Sequence, residues 1–116
     1  MLRIKLEGLL SEPDSHKATK DKQGWAEWRA LQLIDEQQKS SVAEWFYVVA
    51  CNQIYFDEVL IGEDWARESR AIQIQSHYDE KLLQEFADEK IKRLEFNSWD
   101  DFYEKMPQEF VYEDSE

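Results

Sequence analysis

The sequence predicts an α/β fold of the α+β kind, with a mainly antiparallel sheet of about four strands and helices packed mainly on one face. Three stretches carry that expectation. Leu2, Ile4 and Leu6 alternate with Arg3, Lys5 and Glu7, the period of a half-buried strand. Trp45, Phe46, Tyr47, Val48, Val49, Ala50 and Cys51 form an unbroken apolar run, short for a buried helix and suited to a strand covered on both faces. Leu83, Phe86, Ala87, Ile91 and Leu94 recur at helical spacing, with Glu85, Asp88, Glu89, Lys92 and Arg93 mostly off that stripe.

The elements follow in the order β-β-β-α-β-α-α. The first strand is expected to end at Gly8. Ser11-Glu12-Pro13-Asp14-Ser15 has turn chemistry, and the polar, locally basic stretch from His16 to Gly24 reads as an exposed loop. Trp25–Glu36 fits two periods. Trp28, Leu31 and Ile34 suit a helix, whereas Leu31 and Leu33 share one face of a strand. Strand is the reading taken for about Glu27–Asp35, forming a hairpin through Gln37–Ser41 with the central strand. That strand has its own helical rival, since Val42, Trp45, Phe46 and Val49 are spaced i, i+3, i+4, i+7.

Asn52 is a good cap for a short helix from about Gln53 to Leu60, which Gly62 can close. An exposed connection with Glu63, Asp64, Arg67, Glu68 and Arg70 leads to a strand at Ile72 and Ile74. Asp79 caps the main helix, about Glu80–Glu95. Ser98 and Asp101 resemble a capping box with Asp in place of Glu. Trp99, Phe102, Tyr103 and Met106 then define a short amphipathic helix expected to stop at Pro107.

The length of 116 residues and 42% hydrophobic content suit one domain, 1–116, with a single core. No apolar run reaches the ~18 residues of a membrane span. Charges in MLRIKLEG stand where a signal peptide needs its apolar region, and a lone Cys51 forms no disulfide framework. A cytoplasmic protein is expected. The net charge is −12, and all the excess lies beyond residue 40, where nineteen acidic side chains face seven basic ones. Nucleic acid and anionic membrane both need a positive footprint and are not expected as partners. A basic protein is.

Motifs of catalysis are not apparent. The three glycines form no phosphate loop, and HExxH, CxxC and a nucleophile elbow are missing. No catalytic, cofactor-binding or metal-binding residue is assigned and no cofactor is expected. His16 and His77 read as surface histidines, and Cys51 as a small buried residue. The acidic doublets are mostly solvated faces, because adjacent residues on a strand or helix point apart. Those interleaved with aromatics are the candidate binding residues: Trp99, Asp100, Asp101 and Glu104, then Tyr112, Glu113 and Asp114. Aromatic anchors ringed by charge are what a protein interface uses, although the same aromatics could serve as core. Asp57, Glu58, Glu63 and Asp64 form a second acidic candidate.

Met1–Gly8 and then Ser11-Glu12-Pro13-Asp14 give a short strand, a Gly and a turn. Phe46–Cys51 ends a strand pair at a Cys. Asp79–Glu95, Ser98-Trp99 and Glu109-Phe110-Val111-Tyr112-Glu113-Asp114 give a helix, a Ser-Trp step and an acidic-aromatic close. In this order the segments resemble the Immunity protein 8 family of bacterial polymorphic toxin and contact-dependent inhibition systems. Asn52-Gln53 departs from the Thr-Pro of that pattern, and Pro107-Gln108 replaces its Trp before Glu-Phe. The resemblance implies a cytoplasmic immunity protein, not an enzyme, that binds and neutralises the C-terminal domain of a cognate toxin, such as a nuclease with a basic groove. An acidic DNA mimic that inhibits basic proteins is the alternative. A small metal-assisted hydrolase using paired carboxylates is the reading from another class.

Overall fold

The computed structural model describes residues 1–63, 70–74 and 77–112. It is an α+β fold with a mostly antiparallel sheet and three helices. In chain order these are β1 (Ile4–Leu10), β2 (His16–Ala18), β3 (Trp25–Asp35), β4 (Ser40–Ser41), β5 (Phe46–Cys51), α1 (Gln53–Tyr55) continued by a π-helical turn (Phe56–Leu60), β6 (Ala71–Gln73), α2 (Glu80–Arg93), α3 (Trp99–Glu109) and β7 (Val111–Tyr112). The strand readings for Glu27–Asp35 and for the central run both hold, although β5 begins at Phe46 and leaves Trp45 outside.

The sheet has seven strands rather than about four. Its main path is β1-β3-β5-β6, and β2, β4 and β7 attach beside it. Those three span only two or three residues each, too few to display a period. Each lies in line with a longer strand, giving four columns. Ala30 pairs with Leu10 on one side and Tyr47 on the other, so β1 and β2 flank β3 opposite β4 and β5. Tyr47 likewise pairs with Ala30 and with Val111, which puts β6 and β7 on the outer side of β5. The β5–β6 pairing is parallel and the others are antiparallel.

Gly8 does not end β1. The register passes from Leu6↔Leu33 to Gly8↔Gln32, so Glu7 is the extra residue of a bulge. The bulge shifts the alternation by one, and Leu9, opposite Leu31, joins Leu6 on the same face. His16–Gly24 is not an exposed loop throughout. Its first three residues pair with Glu27, Ala26 and Trp25, and Thr19 and Gly24 are buried. Asn52 anchors that corner. Its side-chain oxygen accepts from Tyr55 N (3.0 Å) and Trp25 N (3.1 Å), while its amide donates to Gln23 O (2.9 Å).

Two expected helix ends move. The main helix stops at Arg93 rather than Glu95. Leu94 is extended, and Leu2 N donates to Phe96 O over 2.9 Å, drawing the buried Phe96 into a bridge with the N-terminal segment. Pro107 does not stop α3, which runs to Glu109. Proline deprives the Tyr103 carbonyl of one donor, a loss confined to the last turn, and Phe110 N still donates to Met106 O.

The core follows the strand alternation. Phe46, Val48 and Ala50 cluster with Leu6, Leu31 and Leu33, and with Leu83, Ala87, Ile91, Phe102 and Met106 of the long helices. The intervening Val49 and Cys51 cluster instead with Ala26, Tyr55 and Leu60. Strand β5 is thus buried on both faces, and its sequence is continuously apolar for that reason. The expected connection at Asp64, Arg67 and Glu68, Gln75 of the expected Ile72–Gln75 strand, and the candidates Glu113 and Asp114 lie outside the described residues.

Candidate partner-binding surfaces

The expected C-terminal surface divides into core and exposed parts. Phe102 and Phe110 are fully buried. Trp99 is half-buried, with its ring edge-on to Phe102 at 5.3 Å. Tyr103 and Tyr112 remain 42% and 41% exposed. The Tyr103 hydroxyl meets the Glu44 carboxylate at 2.6 Å. That bond, then burial, pushes the phenol up to about 12. Tyr112 lies opposite Phe46 in the ladder, its ring 4.9 Å away.

The acids of this surface have unequal roles. Ser98 Oγ accepts from Asp101 N over 3.2 Å, the cap that the sequence pattern predicts. Asp101 reaches back to accept from Asn97 N (3.0 Å) and pairs with Lys105 (3.1 Å). These contacts, led by the Asn97 amide, hold its carboxyl below the ordinary value. Asp101 therefore belongs to the helix start. Asp100 and Glu104 are exposed, one turn apart on the same side of α3.

The second acidic candidate surrounds α1. Asp57, Glu58 and Glu63 are exposed, and Gln53 Nε2 donates to Asp57 Oδ1 over 2.8 Å. The apolar residues there were not foreseen. Val59 and Ile61 are 43% and 54% exposed, while Tyr55 of α1 and Leu60 of the π-helical turn are buried. Its burial partners Ala26, Val49 and Cys51 have the opposite parity to those of α3. The elements that carry the described residues of the two candidates, α1 with its π-helical turn and α3, therefore pack against opposite faces of β5.

Reactive chemistry is not concentrated anywhere among the described residues. No group of three His, Cys, Asp or Glu side chains is arranged to hold a metal ion. Cys51 is fully buried, and burial pushes its thiol up to about 11. His16 meets Glu27 at 2.5 Å. The same Glu27 pairs with Arg29 (3.1 Å), which also bonds Glu80 (3.1 Å). The alternation of Glu27 and Arg29 on one strand face was the available signal for this network. The buried carboxylate Asp35 accepts from Gln37 N (3.0 Å) and so serves the turn after β3. A cleft of about 770 Å³ between β1 and α2 mixes Lys5, Lys81 and Lys92 with Glu36, Glu85 and Asp88, and none of the described residues that line it is aromatic. No helix among the described residues is long and apolar enough to cross a membrane.

Fold and surface together define an acidic α+β protein with exposed tyrosines beside exposed carboxylates. Comparison of the chain with protein-family models, with curated proteins and with solved structures finds no match.

Proposed function

We propose that this protein is a cytoplasmic immunity protein that binds a basic toxin domain delivered by neighbouring bacteria and neutralises it without catalysis. The observation that supports this reading is that Tyr103 and Tyr112 are both exposed, with the exposed acids Asp100 and Glu104 on the same helix as Tyr103. Tyrosine supplies apolar area with a polar tip, and rim acids steer a basic partner. In this reading α2 and α3 form one layer that backs the sheet, so the anchors stand on a rigid support. The resemblance of the segment order to the Immunity protein 8 family supports the same function.

The experiment is co-expression with the domain encoded immediately upstream of its gene. Restored growth, together with a stable complex of the two purified chains, is the expected result. Equal binding to unrelated basic proteins would favour a DNA mimic instead. Stoichiometric uptake of a divalent ion with accompanying hydrolysis would favour the enzyme.

A further inference from the structure

Glu44 lies outside both acidic stretches that the sequence marks, yet it is the acid that the fold sets against an exposed tyrosine. Its segment leads into β5, and the Tyr103 hydroxyl of α3 donates to its Oε1 over 2.6 Å. Glu44 is half-buried. A carboxylate has two oxygens with room for about four hydrogen bonds, and this one meets a single donor among the described residues. No described Lys, Arg or His pairs with it. A half-buried carboxylate with so little compensation favours an incoming cation.

The tyrosines around it are held in place beforehand. The Tyr103 ring packs against Trp99 at 6.1 Å and against Phe102 at 5.4 Å. Phe102 meets Phe46 at 5.6 Å, and Phe46 meets Tyr112 at 4.9 Å. Tyr103 and Tyr112 therefore stand on one continuous aromatic cluster, and both keep exposed surface. Tyr112 also adds to the upward push on the Tyr103 phenol, so the two lie within electrostatic reach. Helix α3 contributes Asp100, Asp101 and Glu104. Its one cation, Lys105, is engaged by Asp101 (3.1 Å) and by Glu95 O (2.6 Å).

We infer that Glu44, Tyr103 and Tyr112 form a subsite that takes one arginine side chain of the protein partner. Three features select that occupant. The second Glu44 oxygen can accept an N–H from a guanidinium in a charge-assisted bond. The flat guanidinium can rest on the exposed part of a tyrosine ring while it donates. A guanidinium is also weakly hydrated and loses little on entering a half-buried site, whereas a lysine ammonium is a compact, strongly hydrated charge. The inference rests on the immunity reading for the identity of the partner, and on the local geometry for the chemistry of the side chain.

The first arm of the test titrates the isotopically labelled full chain with a blocked Gly-Arg-Gly peptide. Matched peptides carry lysine or the neutral isostere citrulline in place of the arginine. Amide shifts are expected at Glu44, Tyr103 and Tyr112, strongest with arginine. Glu44→Gln keeps an acceptor for the Tyr103 hydroxyl and so should stay folded, yet it should weaken arginine binding about fivefold. Glu85→Gln removes an exposed charge from α2 and should leave that binding unchanged. The second arm measures dissociation from the domain encoded immediately upstream. Glu44→Gln should speed it about tenfold, the effect of losing a bond to a charged group, and one arginine substitution in that domain should cancel the difference. Absence of shifts at the three residues up to ~10 mM peptide, equal binding of the three peptides, or an arginine preference that survives Glu44→Gln would each overturn the inference. A stable complex whose dissociation ignores Glu44→Gln would overturn it while the immunity reading stands. No complex at all, with the expected peptide result, would remove the immunity reading and still support the subsite.

Discussion

The Tyr103 hydroxyl donates to the Glu44 carboxylate over 2.6 Å and so ties the middle of α3 to the segment that leads into β5. A phenol that donates to a carboxylate resists ionisation, because a phenolate there would face a second negative charge.

The alkaline titration should report that contact. Tyr103 is pushed up to about 12, and burial takes Tyr78 to about 12 as well. The folded value lies above the ordinary 10.0. The contribution to stability is therefore complete below the unfolded value and is lost as pH rises through the folded one. Tyr103→Phe should remove one of the late steps in tyrosinate absorbance and leave the Tyr78 step in place. An unchanged late amplitude would rule out Tyr103 as its source.

The proposed toxin surface makes separate predictions for rates. Asp100→Asn with Glu104→Gln should slow association and flatten its salt dependence, because rim charges act on encounter. Asp101 is better left intact, since its carboxylate serves Asn97 and Lys105. Tyr112→Ala should speed dissociation by about 2 kcal/mol, as for an interface anchor. Its ring also packs on Phe46, so thermal unfolding of the free variant must accompany the kinetics. Folded variants with unchanged rates at low salt would move the search to Asp57–Glu63.

Gly24 is required by space. A Cβ there would stand 2.5 Å from Thr19 Cγ2 and 2.9 Å from Tyr55 N. The backbone of α1 cannot yield without breaking the Asn52 bonds. Gly24→Ala should cost about 2 kcal/mol in denaturant unfolding. A loss well under half of that would mean that the corner relaxes freely.

Cys51 should behave as a probe of opening. Burial holds the thiol at about 11, and alkylation needs both access and thiolate. Labelling of the native protein at pH ~8 should track global unfolding, with a rate that rises with denaturant. Rapid native labelling would place Cys51 in a locally mobile strand.

The long elements were legible because each repeats its signal. The continuous run before Asn52, the stripe through Leu83 and Ile91, and the Ser98 cap all state their own geometry. The short pairings were not legible, since His16–Ala18 and Val111–Tyr112 are strands only because β3 and β5 offer them partners. Pro107 misled because proline reports a lost donor, while the rest of the last turn decides whether that loss matters. Along α3, helical spacing could not separate the buried Phe102 from the exposed Tyr103, which lie side by side on one stripe. Val59 went unnoticed because a π-helical turn rotates side chains away from the ordinary helical spacing.

The in-line arrangement of β6 and β7 along β5 also bears on synthesis. The outer edge of the most apolar strand is closed by residues 71–73 and 111–112. A chain growing on the ribosome makes Phe46 and Tyr47 more than sixty residues before Val111 and Tyr112 arrive to pair with them. During that interval the edge of an aromatic strand stands open, the kind of surface that nucleates aggregation. Yield of native protein should therefore depend on how fast the last stretch is translated and on which chaperones meet the chain before it.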